Sequence, residues 1–162
     1  MPIVENNEKP PVPAIAVAYG DGDAPEWMEA VLQILADARV PISISSIDVG
    51  EKLYGKGVKN GIHPRVMETL ARTRAALLPP IPTPEGDGFQ PVSSALVEIL
   101  ALAPLPASND VTKAYGSETY ALFESRENGI APLLATALAL LKHLGLADHA
   151  AKIRSTQEAV SL

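Results

Sequence analysis

The stretch Pro13-Ala-Ile-Ala-Val-Ala-Tyr-Gly-Asp-Gly-Asp-Ala-Pro-Glu-Trp27 decides how the chain is read. A continuous apolar run, Val12 to Tyr19, is bounded by Pro and Gly and has the composition of a strand buried on both faces. Gly20-Asp21-Gly22 then turns the chain. Asp23 stands where a helix cap would, with Pro25 and Glu26 in the first turn that follows. Residues 24–40 carry Trp27, Val31, Ile34, Leu35 and Ala38 at helical spacing. A strand, a glycine turn and a helix start form the arrangement in which α/β proteins often hold a phosphate. The spacing is not G-x-G-x-x-G, because Asp23 and Ala24 follow the second glycine.

The alternation continues outward from that unit. Residues 41–49 have strand composition, with Ile42, Ile44 and Ser46 on one face. Residues 50–61 hold four glycines and read as a loop, and Pro64 opens a second helix running to Thr73. Arg74 to Pro80 reads as a short buried strand. Residues 80–91 are too rich in Pro and Gly for regular structure. The segment 92–106 is either a helix followed by a strand or one longer apolar helix, and 105–110 is a linker. Residues 117–125 are a further strand candidate and 126–132 a turn. A helix starts at Pro132 and stops at Gly145, and an amphipathic helix closes the chain. Residues 1–11 are expected to be a flexible leader. Residues 12–162 are expected to form one α/β layered domain, a central sheet with helices on both faces.

Composition narrows the function classes. The 162 residues carry a net charge of −6, and basic residues are scattered apart from Lys52, Lys56, Lys59 and Arg65. A nucleic-acid surface needs clustered Lys and Arg, and aromatics for base stacking are only 4% of the chain. Nucleic acid is therefore not an expected partner. No apolar run reaches the ~20 residues that cross a bilayer, and no basic-then-apolar leader opens the chain, so no membrane partner and a cytoplasmic location are expected. The absence of cysteine removes disulfides, thiolate metal sites and thiol nucleophiles.

The acidic turns at 21–23 and 85–88 lack the spaced oxygen ligands of an EF-hand. His143 and His149 are six apart, not at the i, i+4 spacing of a helical zinc pair, and His63 precedes Pro64 in a turn. Ser93, Ser94 and Ser117 have no G-x-S-x-G context. No metal site and no catalytic residue is expected from these groups. Leu133, Leu134, Leu138 and Leu141 form a stripe that reads as core, or as an uncovered interface.

Four segments in order resemble the isocitrate/isopropylmalate dehydrogenases, the β-decarboxylating dehydrogenase family. Tyr19 to Trp27 is similar to the family's Gly-Asp-Gly-Ile-Gly-Pro-Glu loop. Residues 47–88 are similar to the stretch that ends in its Thr-Pro-x-Gly-Gly-Gly segment. Residues 121–132 are similar to Phe-Glu-Ala-x-His-Gly-Thr-Ala-Pro, and 137–153 to its closing helices. The resemblance implies the large domain of that family, with 12–104 and 111–162 matching the two ends of the family chain. The small domain between them is missing.

By the same resemblance, the family reaction oxidises a 2-hydroxy acid by hydride transfer to a nicotinamide cofactor and then releases CO₂. A divalent metal polarises the nascent carbonyl and arginines clamp the substrate carboxylates. The metal aspartates and the proton-moving Tyr and Lys belong to the missing middle or its edges. Pro91 falls on the family's substrate serine, Ser93 on its asparagine and Val97 on its first arginine, and valine forms no guanidinium fork. Asp21, Gly22, Thr83, Asn128 and Gly129 stand at cofactor-segment positions as vestigial candidates. Glu127 or Asn128 replaces the family histidine, and the adenosine loop after Pro132 is absent.

The resulting expectation is a non-catalytic remnant without a cofactor, acting as a binding or regulatory protein. Its partner would be another protein or a second copy, engaged through exposed apolar surface such as the segment 91–105, whose one charge is Glu98. A small nucleotide- or NAD(P)-binding protein, or a dehydrogenase completed by another chain, are the alternatives.

Overall fold

The computed structural model describes residues 12–161, and side chains as far as residue 158. The leader expected at 1–11 lies outside the described residues. Strand β1 (Ala14–Ala18) is the centre from which the sheet grows. Helix α1 (Ala24–Asp37) returns the chain to β2 (Ser43–Ile47), which pairs parallel to β1. Two helices, α2 (Glu51–Gly55) and α3 (Val66–Thr73), lead to β3 (Ala75–Leu78) on the other side of β1. After a long irregular loop come α4 (Val92–Ile99) and the two-residue β4 (Ala103–Pro104). The hairpin β5 (Thr112–Gly116) and β6 (Ala121–Ser125) follows, then α5 (Ile130–His143) and α6 (Ala147–Ser161). The sheet order is β2-β1-β3-β6-β5-β4. Its first four strands are parallel, and β5 and β4 are added antiparallel.

Alternation along the inner strands builds a core on each face. Ile15, Val17, Leu77, Ala114 and Phe123 point to α1, α5 and α6, where they meet Met28, Val31, Leu133, Leu140 and Ile153. Ala16, Ala18, Ala76, Leu78 and Leu122 point to α2, α3 and α4, where they meet Tyr54, Val66, Leu70, Val92 and Leu96. Helices therefore cover both faces, because β1, β3 and β6 are apolar at odd and even positions alike. The stripe Leu133, Leu134, Leu138 and Leu141 is core.

Several elements differ from the sequence reading. The glycine-rich stretch 50–61 contains α2, held by burial of the adjacent pair Leu53 and Tyr54. Strand β5 was not anticipated. Its buried positions, Thr112, Ala114 and Gly116, are small, so the period-2 pattern carries little hydrophobicity. The strand expected from 117 begins only at Ala121. Before it, the Ser117 hydroxyl accepts the N–H groups of Thr119 and Tyr120 and closes a turn. Helix α5 starts at Ile130, with Gly129 at φ +113 as its cap, and Pro132 falls within the first turn. Asp23 precedes α1 but makes no side-chain cap bond.

Segment 92–104 takes the first of its two readings, a helix and then a strand. Leu96 is fully buried in the chain's own core and Leu100 is half-buried. Ile42 packs at the margin of one core, while Ile44 on the same face of β2 is 40% exposed because β2 is the edge of the sheet.

Candidate functional site

In open α/β sheets, ligands bind beyond the carboxyl ends of the strands, where the strand order reverses. Here the reversal lies between β1 and β3, since β2 is added on one side of β1 and β3 on the other. The loop after β1, Gly20 to Asp23, and the loop after β3, from Pro79, therefore flank the place where a ligand would enter.

Gly20 has φ +79, and a Cβ built there would stand 2.9 Å from Pro79 Cγ and 3.0 Å from Ala24 Cβ. The two loops are thus in direct contact, with the Pro79 ring against Gly20. Asp21 faces α2. Its Oδ2 accepts the Glu51 N–H at 3.0 Å, and a Cβ on Gly50, at φ +105, would be only 2.7 Å from that oxygen. The carboxylate closes the start of α2 and needs glycine beside it.

Tyr54 occupies the ground between α2, the 79–91 loop and α4. Its hydroxyl donates to Gln90 O at 2.6 Å, and Phe89 meets its ring edge-on at 5.7 Å. Gly61 packs so closely on the ring that a Cβ would lie 2.7 Å from Cζ. Burial pushes the phenol up from its ordinary value. Contacts with Thr83 and the Val92 backbone oppose that shift, and the charge of Asp21 adds to it. Asp21 and Thr83 are thus brought together around one tyrosine that sequence reasoning placed in a loop. The signal available for it was the Leu53-Tyr54 apolar pair among glycines.

A second buried group closes the carboxyl end of β6. Glu124 is 8% exposed. Burial raises its pKa above the usual carboxylate range, while a hydrogen bond with the Ser93 side chain and the charges of Lys113 and Arg126 pull the other way. Ser93 sits in the first turn of α4, so that helix is anchored on the end of β6. Val97 lies half-buried against the α2–α4 side of the core. The remaining candidates do not join this cluster. Gly22, at φ +62, has nothing within 4 Å of a built Cβ. Asn128 is exposed and Gly129 caps α5.

Among the described residues no group of three or more His, Asp or Glu is placed to hold a metal ion. Two hollows among the described residues lie away from the switch point. One, of 430 Å³, runs along the outer side of β2 and is lined by Ser46, Asp48, His63, Arg65 and Thr69. Another, of 710 Å³, lies between the 106–111 loop and the last two helices, with Lys142, His143 and Arg154 on its wall. No described helix is long and apolar enough to cross a membrane.

No family model matches the chain. Individual proteins do. Over 88 residues, 54% of this chain and 18% of the other, it is 44% identical to isocitrate dehydrogenase [NADP] of Rickettsia bellii. Over 132 residues, 79% of this chain and 26% of the other, it is 27% identical to isocitrate dehydrogenase [NADP] of Thermus thermophilus. The chain is a relative of the isocitrate dehydrogenases. A crystal structure of isocitrate dehydrogenase from Methylococcus capsulatus superposes with a TM-score of 0.69 over 88% of each chain, at 12% identity, which shows a shared fold. This isocitrate dehydrogenase relative spans only 18% and 26% of the length of the two curated proteins above.

Proposed function

We propose that this relative of isocitrate dehydrogenase is a non-catalytic protein that keeps the large-domain fold as a binding or regulatory module. The observation that carries the reading is the close packing of Pro79 on Gly20 at the switch point. Two neighbouring features support it. Asp21 is committed to α2, and Tyr54 is locked between Thr83, Phe89 and Gln90. A phosphate cradle needs open N–H groups and room, and the carboxylates of Asp21 and Glu124 flank this region instead. Val97 at the position of the family arginine leaves no fork for a substrate carboxylate.

The test has two arms. The purified chain is assayed for NADP reduction with isocitrate and Mg²⁺ or Mn²⁺, and NADP is titrated against Trp27 fluorescence. Trp27 lies half-buried at the start of α1, one turn from the Gly20 loop. Neither turnover nor a saturable fluorescence change is expected. Saturable NADP binding without turnover would favour a nucleotide-sensing protein, and metal-dependent turnover would favour an enzyme.

A further inference from the structure

The hollow of 710 Å³ between the 106–111 loop and the last two helices has a basic wall, in a chain whose net charge is −6. Ala135, Ala139, Lys142 and His143 line it at i, i+4, i+7 and i+8, one stripe of α5. The two alanines are small and half-buried and leave a trough along the helix. After the turn at Gly145, α6 packs into the same core through Ala150 and Ile153, and Arg154 joins the wall. Among the described residues Lys142 and Arg154 have no hydrogen-bond or ion-pair partner. Lys142 stands in the last turn of α5, where a cation also complements the helix dipole, but Arg154 is mid-helix and has no such reason to be there. The His143 ring rests against the buried Phe123, with centroids 5.5 Å apart. On the loop side Asn109 is held in place, because its Oδ1 accepts the N–H groups of Val111 and Thr112. Its side-chain NH₂ has no partner among the described residues and is left as a donor. Asp110 is the one carboxylate in the lining.

We infer that this hollow binds a small, non-nucleotide phosphate ester, with its phosphate on Lys142, His143 and Arg154. A phosphate gathers up to two charges on one group, with acceptors enough for a guanidinium fork, an ammonium and an imidazole together. A carboxylate has one charge and two oxygens. The volume lies within the range of about 300–1,000 Å³ typical of small-molecule sites and leaves room beyond the phosphate. The body of the ligand lies along Ala135 and Ala139, and Asp110 accepts from a hydroxyl on it. The lining has no Phe, Tyr or Trp on which a base would stack, which sets a nucleotide apart from this class. The site is separate from the switch point and stands whether or not NADP binds there.

The probe is glycerol 3-phosphate, titrated by calorimetry and followed by proton NMR of the histidine rings. One site per chain is expected, with the His143 resonances shifting in step with the heat. Those of His63, in the hollow along β2, should stay in place. Trp27 fluorescence reports on the switch point instead, so failure here and failure there are told apart. Lys142→Ala and Arg154→Ala should each weaken binding about tenfold. Arg65→Ala, in the β2 hollow, should leave it unchanged. All three side chains are exposed, so the variants should fold. Asp110→Asn should reduce the preference for glycerol 3-phosphate over inorganic phosphate. Citrate, with carboxylates alone, should bind more weakly, and glycerol should not bind. No saturable heat at millimolar glycerol 3-phosphate, or binding that the Lys142 and Arg154 variants leave unchanged, would overturn the proposal. So would a shift at His63 instead of His143, or citrate bound as tightly as the phosphate ester.

Discussion

Gly20 and Gly22 share a backbone conformation, at φ +79 and +62, but not an environment. Alanine at Gly22 meets open space, so Gly22→Ala should cost only the left-handed penalty, about 1–2 kcal/mol. Alanine at Gly20 must also displace Pro79, and overpacking adds about 1–3 kcal/mol. Urea unfolding of the two variants should therefore rank Gly20→Ala as clearly the less stable, and equal costs would mean that the loops after β1 and β3 are not in contact. Glu124 gives a pH signature. Its folded pKa is raised above the ordinary value of 4.5, chiefly by burial, so the folded chain holds that proton more tightly than the unfolded chain. The stability this contributes is full below about pH 4.5 and is lost as pH rises through the raised value. Glu124→Gln should then be more stable than the unmodified chain at neutral pH, with the gain fading on acidification to that range. Thermal melts across pH check both sign and window, and a gain that does not depend on pH would contradict the buried-charge explanation.

Between β5 and α5, two buried hydroxyls meet, Thr112 Oγ1 and Thr136 Oγ1 at 2.8 Å. Thr136→Val leaves the Thr112 hydroxyl short of a partner and should cost about 1–3 kcal/mol. Adding Thr112→Val removes the orphan, so the double variant should lose less than the sum of the single ones. Denaturant titration of the four proteins measures that coupling, and strict additivity would mean the two hydroxyls do not interact. This element contact also marks the limit of what the sequence revealed. β1, β3 and the long helices were legible because their apolar runs have the length and period of buried elements. β5 was not, since Thr112, Ala114 and Gly116 face the core without a hydrophobic signal. Helix α2 was hidden among glycines for a related reason. Gly50 is set by contact with Asp21, distant in sequence, and Gly61 by packing on the ring of Tyr54. Of the candidate site, Asp21 and Thr83 could be marked from the family pattern. Their convergence on Tyr54, and the Ser93–Glu124 contact, depend on tertiary packing that no local spacing encodes.

At the scale of the whole molecule, two cores lie on opposite faces of one sheet whose fold is shared with a solved isocitrate dehydrogenase, and the loops after β1 and β3 touch at its carboxyl end. Pro79, Asp21, Tyr54 and Ser93 each link one loop or helix to another. Opening room for a dinucleotide would break several of these contacts together. The most direct measurement is a calorimetric titration of NADP into the purified chain with isocitrate and Mg²⁺ present, run alongside a spectrophotometric assay of NADP reduction. No binding heat and no chelator-sensitive reduction are expected. A saturable heat with reduction that stops on chelation would contradict the non-catalytic reading.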